Sequence, residues 1–322
     1  MSGSDWRPSA SAARLAQRAQ RLALARQFFA ARAVLEVDTP LLVNAPVSDV
    51  HIHAARVQLE GSAAPLYLHT SPEYAMKRLL AAGSGDIYQI CHVVRSFESG
   101  RLHNPEFTLI EWYRRGFALA QLMDEVETLV RLLLGARGDS CAGERLSYRQ
   151  AFQRELGLDP LHASLAQLRA AAQPLGFVAA AQSSRDELLE LLMGAAVGPR
   201  LGRGVLSFVY GYPASQAALA RLDPQDADTA QRFELYCEGI ELANGFHELG
   251  AAPEQRARFV ADNAERQRRG LPFAALDERL LAALAAGLPD CCGVALGFDR
   301  TLMLASGAAT IEEVLAFPTA RA

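Results

Sequence analysis

The sequence predicts an α+β fold, a largely antiparallel sheet flanked by helices. Strand-like runs share one region with helices appended to it, and β-α-β alternation is rare. Neither an internal repeat nor a disordered linker divides the 322 residues, so residues 1–322 read as a single domain. Half the residues are hydrophobic and 21% are charged, as in soluble globular proteins. No apolar run approaches the roughly 20 residues a bilayer span needs. A net charge of −4 gives no broad cationic footprint, so nucleic acid is not the default partner. Five cysteines without a C-x-x-C fit reduced thiols in a cytosol better than a disulfide frame or a zinc site.

Along the chain, Leu15, Leu22, Ala25, Phe28 and Phe29 recur at helical spacing. Arg14 to Arg32 is Ala- and Arg-rich and free of acids, which leaves two readings, the first helix of the domain or a transit peptide. "VLEVDTP" (Val34 to Pro40) alternates as a strand and stops at proline, and residues 66–70 form another. "SPEYAMKRLLAAG" (Ser71 to Gly83) opens a helix with Ser71 as N-cap, Pro72 at the first position and Glu73 in the first turn. Asp86 to Arg95 and Glu106 to Tyr113 are two arms of a hairpin with a long polar loop. Leu119 to Leu134 is a helix, and about 135–203 reads as a helical insertion. Gly204 to Pro213 is a strand, Arg232 to Phe246 a hairpin turning at Glu238-Gly239, and 253–268 a charged helix. Last comes "CCGVALGFDRTLMLASG" (Cys291 to Gly307), a strand running into a helix capped by Asp299.

Three constellations carry chemistry. Phe107, Leu109, Glu111 and Tyr113 alternate onto one face of their strand, with Arg95 on the neighbouring one. This sets a carboxylate among aromatics, either in a structural Arg–Glu pair or in a cleft whose ligand supplies the cation. Glu234, Glu241 and Glu248 recur every seven residues near Asn244 and His247; the first two face each other across the hairpin. Without a compensating lysine they invite a hard cation or a substrate ammonium, and a solvated acidic face is the bland alternative. Asp299-Arg300, after Gly293 and Gly297, puts an arginine at a strand-to-helix junction suited to an anion. His51 and His53 read as an exposed strand. Walker, dinucleotide and nucleophile-elbow motifs are absent, so bound phosphates would fall to arginines and Mg²⁺.

In this order the pieces resemble the three signature motifs of class II aminoacyl-tRNA synthetases: "VLEVDTP", "VVRSFESGRLHNPEFTLIEWY" and "GVALGFDRTLML". "SPEYAMKRL", "IELANGFHEL" and "HNPEFTLIEWY" are similar to the lysyl branch in particular. About 30 residues precede the first motif, which leaves no room for an anticodon-binding domain. The chain therefore looks like the short paralogues that attach (R)-β-lysine to a lysine of elongation factor P. Ser71 and Ala295 stand where lysyl-tRNA synthetases usually carry Ala and Gly, adding atoms to the amino-acid pocket.

The resemblance implies an ATP-using, AMP-forming ligase with Mg²⁺, homodimeric, cytoplasmic, and without stable tRNA or membrane binding. It implies amino-acid contacts from Ser71, Pro72, Glu73, Glu111, Tyr113, Glu248 and Ala295. ATP would meet Arg95, Ser96, Phe97, Asn104, Phe107, Glu241, Leu242, Gly297 and Arg300, and Glu234 and Glu241 would hold the metal. Arg95 and Arg300 would be the catalytic residues. The family commonly has an acid where Phe97 stands, so Glu98 or a backbone group would read the adenine instead. A truncated synthetase acting on tRNA or free amino acid, and a non-catalytic amino-acid sensor, are the competing readings.

Overall fold

The computed structural model describes residues 6–62, 64–176 and 183–322. Helix α1 (Ala12–Ala30) starts at Ser11, whose hydroxyl accepts from the Arg14 N–H, and it buries Ala25, Phe28 and Phe29. Phe29 stacks on Tyr88 with ring centroids 4.2 Å apart, so the Ala/Arg-rich opening is a helix of the core. Strand β1 is only Leu35–Glu36, shorter than the expected Val34–Pro40. It is an edge strand, where proline ends pairing.

β2 (Leu42–Val43), β3 (Arg56–Val57) and β4 (Leu66–Leu68) make a small sheet in the order β2-β4-β3. The segment holding His51 and His53 lies between β2 and β3 and is not a strand. Helix α2 (Glu73–Ala81) begins one residue later than expected, with Pro72 at the cap. Ser71 still caps in substance, because its Oγ accepts from the Glu73 N–H at 3.0 Å.

β5 (Ile87–Val94) and β6 (Glu106–Arg115) pair antiparallel from Ile87↔Tyr113 to Val94↔Glu106. Helix α3 (Leu119–Leu134) follows. The stretch expected to be helical holds α4 (Ala136–Ser140), α5 (Tyr148–Leu156), α6 (Leu165–Ala172) and α7 (Arg185–Leu192). It also holds a strand, β7 (Ala142–Ser147), parallel to β8 (Val205–Pro213) at the sheet edge. "AGERLS" lacks the alternation that marks a strand, so its pairing is set by the neighbour. Residues 177–182 of that stretch, and 1–5 of the expected domain, lie outside the described residues. Tyr148, Phe152, Leu168 and Leu188 form a second core against Val209 and Tyr236.

β9 (Leu222–Asp223) pairs with β10 (Asp226–Cys237), which turns into β11 (Ile240–His247). At the turn Glu238 and Gly239 take φ of +52° and +74°, the left-handed pair a two-residue hairpin needs. Helices α8 (Ala252–Arg268) and α9 (Glu278–Gly287) come next; α9 was not foreseen, although Asp277 caps it and its Leu/Ala spacing is regular. β12 (Cys291–Gly297) then enters α10 (Phe298–Ser306). Its cap is Gly297, not Asp299, whose carboxylate instead accepts from the Thr108 N–H at 2.7 Å and pairs with Arg18.

The main sheet runs β1-β5-β6-β12-β11-β10-β8-β7 with β9 beside β10. Its pairings are antiparallel except β1–β5 and β7–β8. Side-chain alternation divides the two faces. Ile110 and Trp112 of β6 enter the core with α1, α3 and α10, while Glu111 and Tyr113 face the other way.

Candidate active site

That other face floors a cavity of about 690 Å³, bounded by β6, β11, β12, α2, α8 and the tip of α7. One rung of the sheet carries Glu111, Ala295, Asn244 and Glu234 in register, and the next carries Tyr113, Gly293 and Phe246. Of the expected amino-acid residues, Ser71, Glu73, Glu111, Tyr113, Glu248 and Ala295 line it. So do Arg95, Asn104, Phe107, Glu241, Leu242, Gly297 and Arg300 from the expected nucleotide set. Pro72 faces a neighbouring cavity instead, because it caps α2 from behind Ser71. Ser96 and Glu234 are not on the lining. Phe97 is not either; its φ of +68° turns the ring outward to 88% exposure, edge-on to His53, while Glu98 lines the cavity.

At one end the charges are mostly acidic. Glu111 is buried and accepts from Ser71 Oγ at 2.7 Å and Tyr113 OH at 2.8 Å. Burial first, and Glu73 second, push its carboxyl up to about 7. Glu248 rises to about 8, again chiefly through burial, with Lys77 pulling against Glu73 and Glu111. Lys77 of α2 is 1% exposed, with Nζ 2.7 Å from Glu73 and 2.6 Å from Glu248. Burial alone would lower its pKa, but the two glutamates more than reverse that, so it stays protonated. Asn244 Oδ1 on the same lining is buried with no hydrogen-bond partner in the protein. An unmatched acceptor among excess carboxylates is an invitation to ligand N–H groups.

The other end is cationic. Arg95 lies 5.1 Å from the Phe107 ring centroid and donates Nε–H to Thr70 O at 3.2 Å. Arg300 donates to Leu102 O and to Glu241 O, at 3.3 and 3.0 Å, and meets His103. Burial, and then Arg300, lower the His103 pKa, so that the imidazole accepts as a neutral ring. Asn104 is spent on structure: its amide donates to Glu106 O and its Oδ1 accepts from the Thr319 N–H at 3.0 Å.

Glu234 and Glu241 do not stand directly opposite. The two-residue turn pairs Glu241 with Tyr236, and a bulge between Leu235 and Tyr236 moves Glu234 on to Asn244. Glu234 is also compensated, by Arg232 and the Tyr236 hydroxyl. Glu241 keeps the charge problem, and burial and then Glu234 raise its carboxyl to about 7. Among the described residues no cluster of three or more metal-ligating side chains occurs. A Mg²⁺ that keeps its waters and rides on substrate phosphates needs only one or two carboxylates, and Glu241 offers one on the lining with Glu234 behind it.

At the mouth, His51 pairs with Glu190 at 3.0 Å, and Arg269 with Glu187 at 3.1 Å, tying the insertion to the rest of the rim. Sequence reasoning missed Lys77, Arg232 and the full role of Gly293. Lys77 is visible four residues after Glu73, and Arg232 two before Glu234, yet nothing in the sequence marks either as buried. A Cβ on Gly293 would stand 2.3 Å from Tyr113 Cε1 and 2.4 Å from Glu248 Oε1, so the acidic end closes around a missing side chain.

Comparison with known proteins bears on this arrangement. Residues 3–321 match the family described as tRNA synthetases class II (D, K and N). An elongation factor P–(R)-β-lysine ligase of Vibrio parahaemolyticus is 51% identical over 320 residues, 98% of each chain. A protein of the same description from Vibrio cholerae is 49% identical over the full length of both chains, and one from Yersinia enterocolitica 51% identical over 99% of this chain and 98% of its own.

Proposed function

Since the chain belongs to the class II tRNA synthetases of the D, K and N group, we propose that it uses ATP to activate (R)-β-lysine and transfers the β-lysyl group to a lysine of elongation factor P. The observation that carries the reading is one cavity with three buried or half-buried carboxylates against one ammonium at one end and two guanidiniums at the other. A molecule with two ammonium groups fits the first, and a triphosphate the second.

In the first step a carboxylate oxygen of β-lysine attacks the α-phosphorus, the bond to pyrophosphate breaks, and β-lysyl-adenylate forms. In the second, a neutral lysine ε-amine attacks the acyl carbon, loses a proton and expels AMP. Glu111, Glu73 and Glu248 orient the amino groups, Phe107 stacks on the adenine, and Arg95 stabilises charge at the α-phosphate. Arg300, already fixed by two carbonyls, meets the far phosphates without reorganising. Glu241, with Glu234, would hold Mg²⁺, which neutralises triphosphate charge. Positioning supplies the remainder, up to about 7–11 kcal/mol of the barrier. The proposal extends to a cytoplasmic homodimer that forms no stable tRNA complex.

Incubation with ATP, Mg²⁺, each lysine isomer and elongation factor P, followed by intact mass, tests it. We expect a β-lysyl adduct on the protein acceptor with (R)-β-lysine. Equal modification with α-lysine, or acylated tRNA without a protein adduct, would refute it.

A further inference from the structure

The acidic end holds an ionisable group that the two chemical steps do not use. Lys77 contacts no face a nucleotide could occupy and is absent from the cavity lining. It sits behind that lining on α2, buried, reaching Glu73 one turn back and Glu248 beyond the end of β11. A lysine is rarely buried to this degree without a role for its charge, because desolvating an ammonium is costly. Stability alone gives no reason to keep it, since a packed apolar pair often serves as well as a buried ion pair.

Counting the ionisable groups in and behind the lining gives its purpose. α2 brings Glu73 and Lys77, β6 brings Glu111 and Tyr113, and the residue after β11 is Glu248. β12 brings Cys291 close by, whose thiol burial keeps neutral, as it does the Tyr113 phenol, while Cys292 points into the opposite core. Cys91 of β5 is likewise pushed up, to about 12. Three carboxylates less one ammonium leave two negative charges for a ligand to match.

We propose that Lys77 is a specificity-determining positioning residue, an internal countercharge that clamps Glu73 and Glu248 and trims the hollow to a deficit of two, the charge of a diamino acid's two ammonium groups. This rests on the function proposed above and deepens it. Without Lys77 the deficit becomes three, which a diamino acid cannot satisfy, and the hollow corrects itself by binding a proton. The affected property is therefore the pH at which the amino acid binds as well as its affinity.

The decisive variants are Lys77→Met, which deletes the charge, and Glu73→Gln/Lys77→Met, which deletes one of each sign. ATP–pyrophosphate exchange is followed against pH with (R)-β-lysine varied, and folding by thermal melt. In Lys77→Met the acid limb of kcat/KM for the amino acid moves up by about one pH unit, equivalent to about a tenfold higher KM on that limb. In the double variant the limb returns toward the wild-type position. An unmoved limb in folded Lys77→Met, or no return in the double variant, overturns the proposal, because a merely structural lysine changes amplitude and not pH dependence.

A wild-type measurement covers the case in which neither variant folds. Calorimetry of (R)-β-lysine binding near pH 7, in two buffers of different ionisation enthalpy, counts protons. Release of about one proton per molecule bound is expected, as the raised carboxyls ionise against the incoming cations. No release overturns the charge deficit. Absence of wild-type exchange with every lysine isomer would instead sink the proposed activity, so the two failures are distinct.

Discussion

Replacing Gly293 by alanine tests the acidic end with the least chemistry. Gly293 lies on β12 between Tyr113 of β6 and Phe246 of β11, so the backbone has no room to yield. The new methyl would stand 2.3 Å from Tyr113 Cε1 and 2.4 Å from Glu248 Oε1. Carbon atoms rest about 3.5–4.0 Å apart, so the phenol ring must retreat by more than about 1 Å. Its hydroxyl then leaves Glu111, and Glu248 is pushed toward Lys77. Misplacement of about 1 Å at a reacting constellation costs about 10²-fold, and overpacking costs about 1–3 kcal/mol of stability. Gly293→Ala should lower kcat/KM for (R)-β-lysine about 100-fold while the KM for ATP stays within about threefold. Pyrophosphate exchange with each substrate varied in turn reads this, with a thermal melt to confirm folding. Near-normal amino-acid kinetics, or equal damage to both substrates in a folded protein, would refute the reasoning.

Arg95→Ala should lower kcat for adenylate formation by about 10²-fold or more, with little change in amino-acid KM, because the charge it meets develops in the transition state; stopped-flow adenylate formation checks it. Glu241→Gln should raise the Mg²⁺ concentration needed for half-maximal exchange, read by metal titration. The pH dependence of stability follows from the three raised carboxyls. Glu111, Glu248 and Glu241 hold protons in the folded state at pH values where the unfolded chain has lost them, so the free protein loses stability from about pH 4.5 up to about pH 8. Differential scanning calorimetry should show this contribution as a falling Tm over that range. Added (R)-β-lysine should raise Tm more at pH 8 than at pH 6, since ionised carboxylates bind it best.

Much of the site was legible because strands print their faces in the sequence. Alternation alone puts Glu111 and Tyr113 on one side of β6 and Trp112 on the other, and Glu238-Gly239 announces its own turn. What escaped depends on contacts between distant segments. A lysine four residues from a glutamate looks like a solvent-exposed helix pair; only the packing of α2 against α9 and the sheet buries Lys77 beside Glu248. The bulge that sets Glu234 opposite Asn244 has no composition signal, and the strand in the insertion borrows its conformation from β8. Phe97 followed the family's numbering into the nucleotide site, but a left-handed backbone turns it away.

Glu111 is the chain neighbour of Trp112, which is fully buried and donates its indole N–H to Glu125 of α3 at 3.1 Å. This cavity carboxylate thus shares a peptide with the anchor of the hydrophobic interior. Loosening that interior anywhere near α3 must blur amino-acid discrimination before the chain unfolds. In a library of random variants, fidelity and heat resistance should therefore decline together.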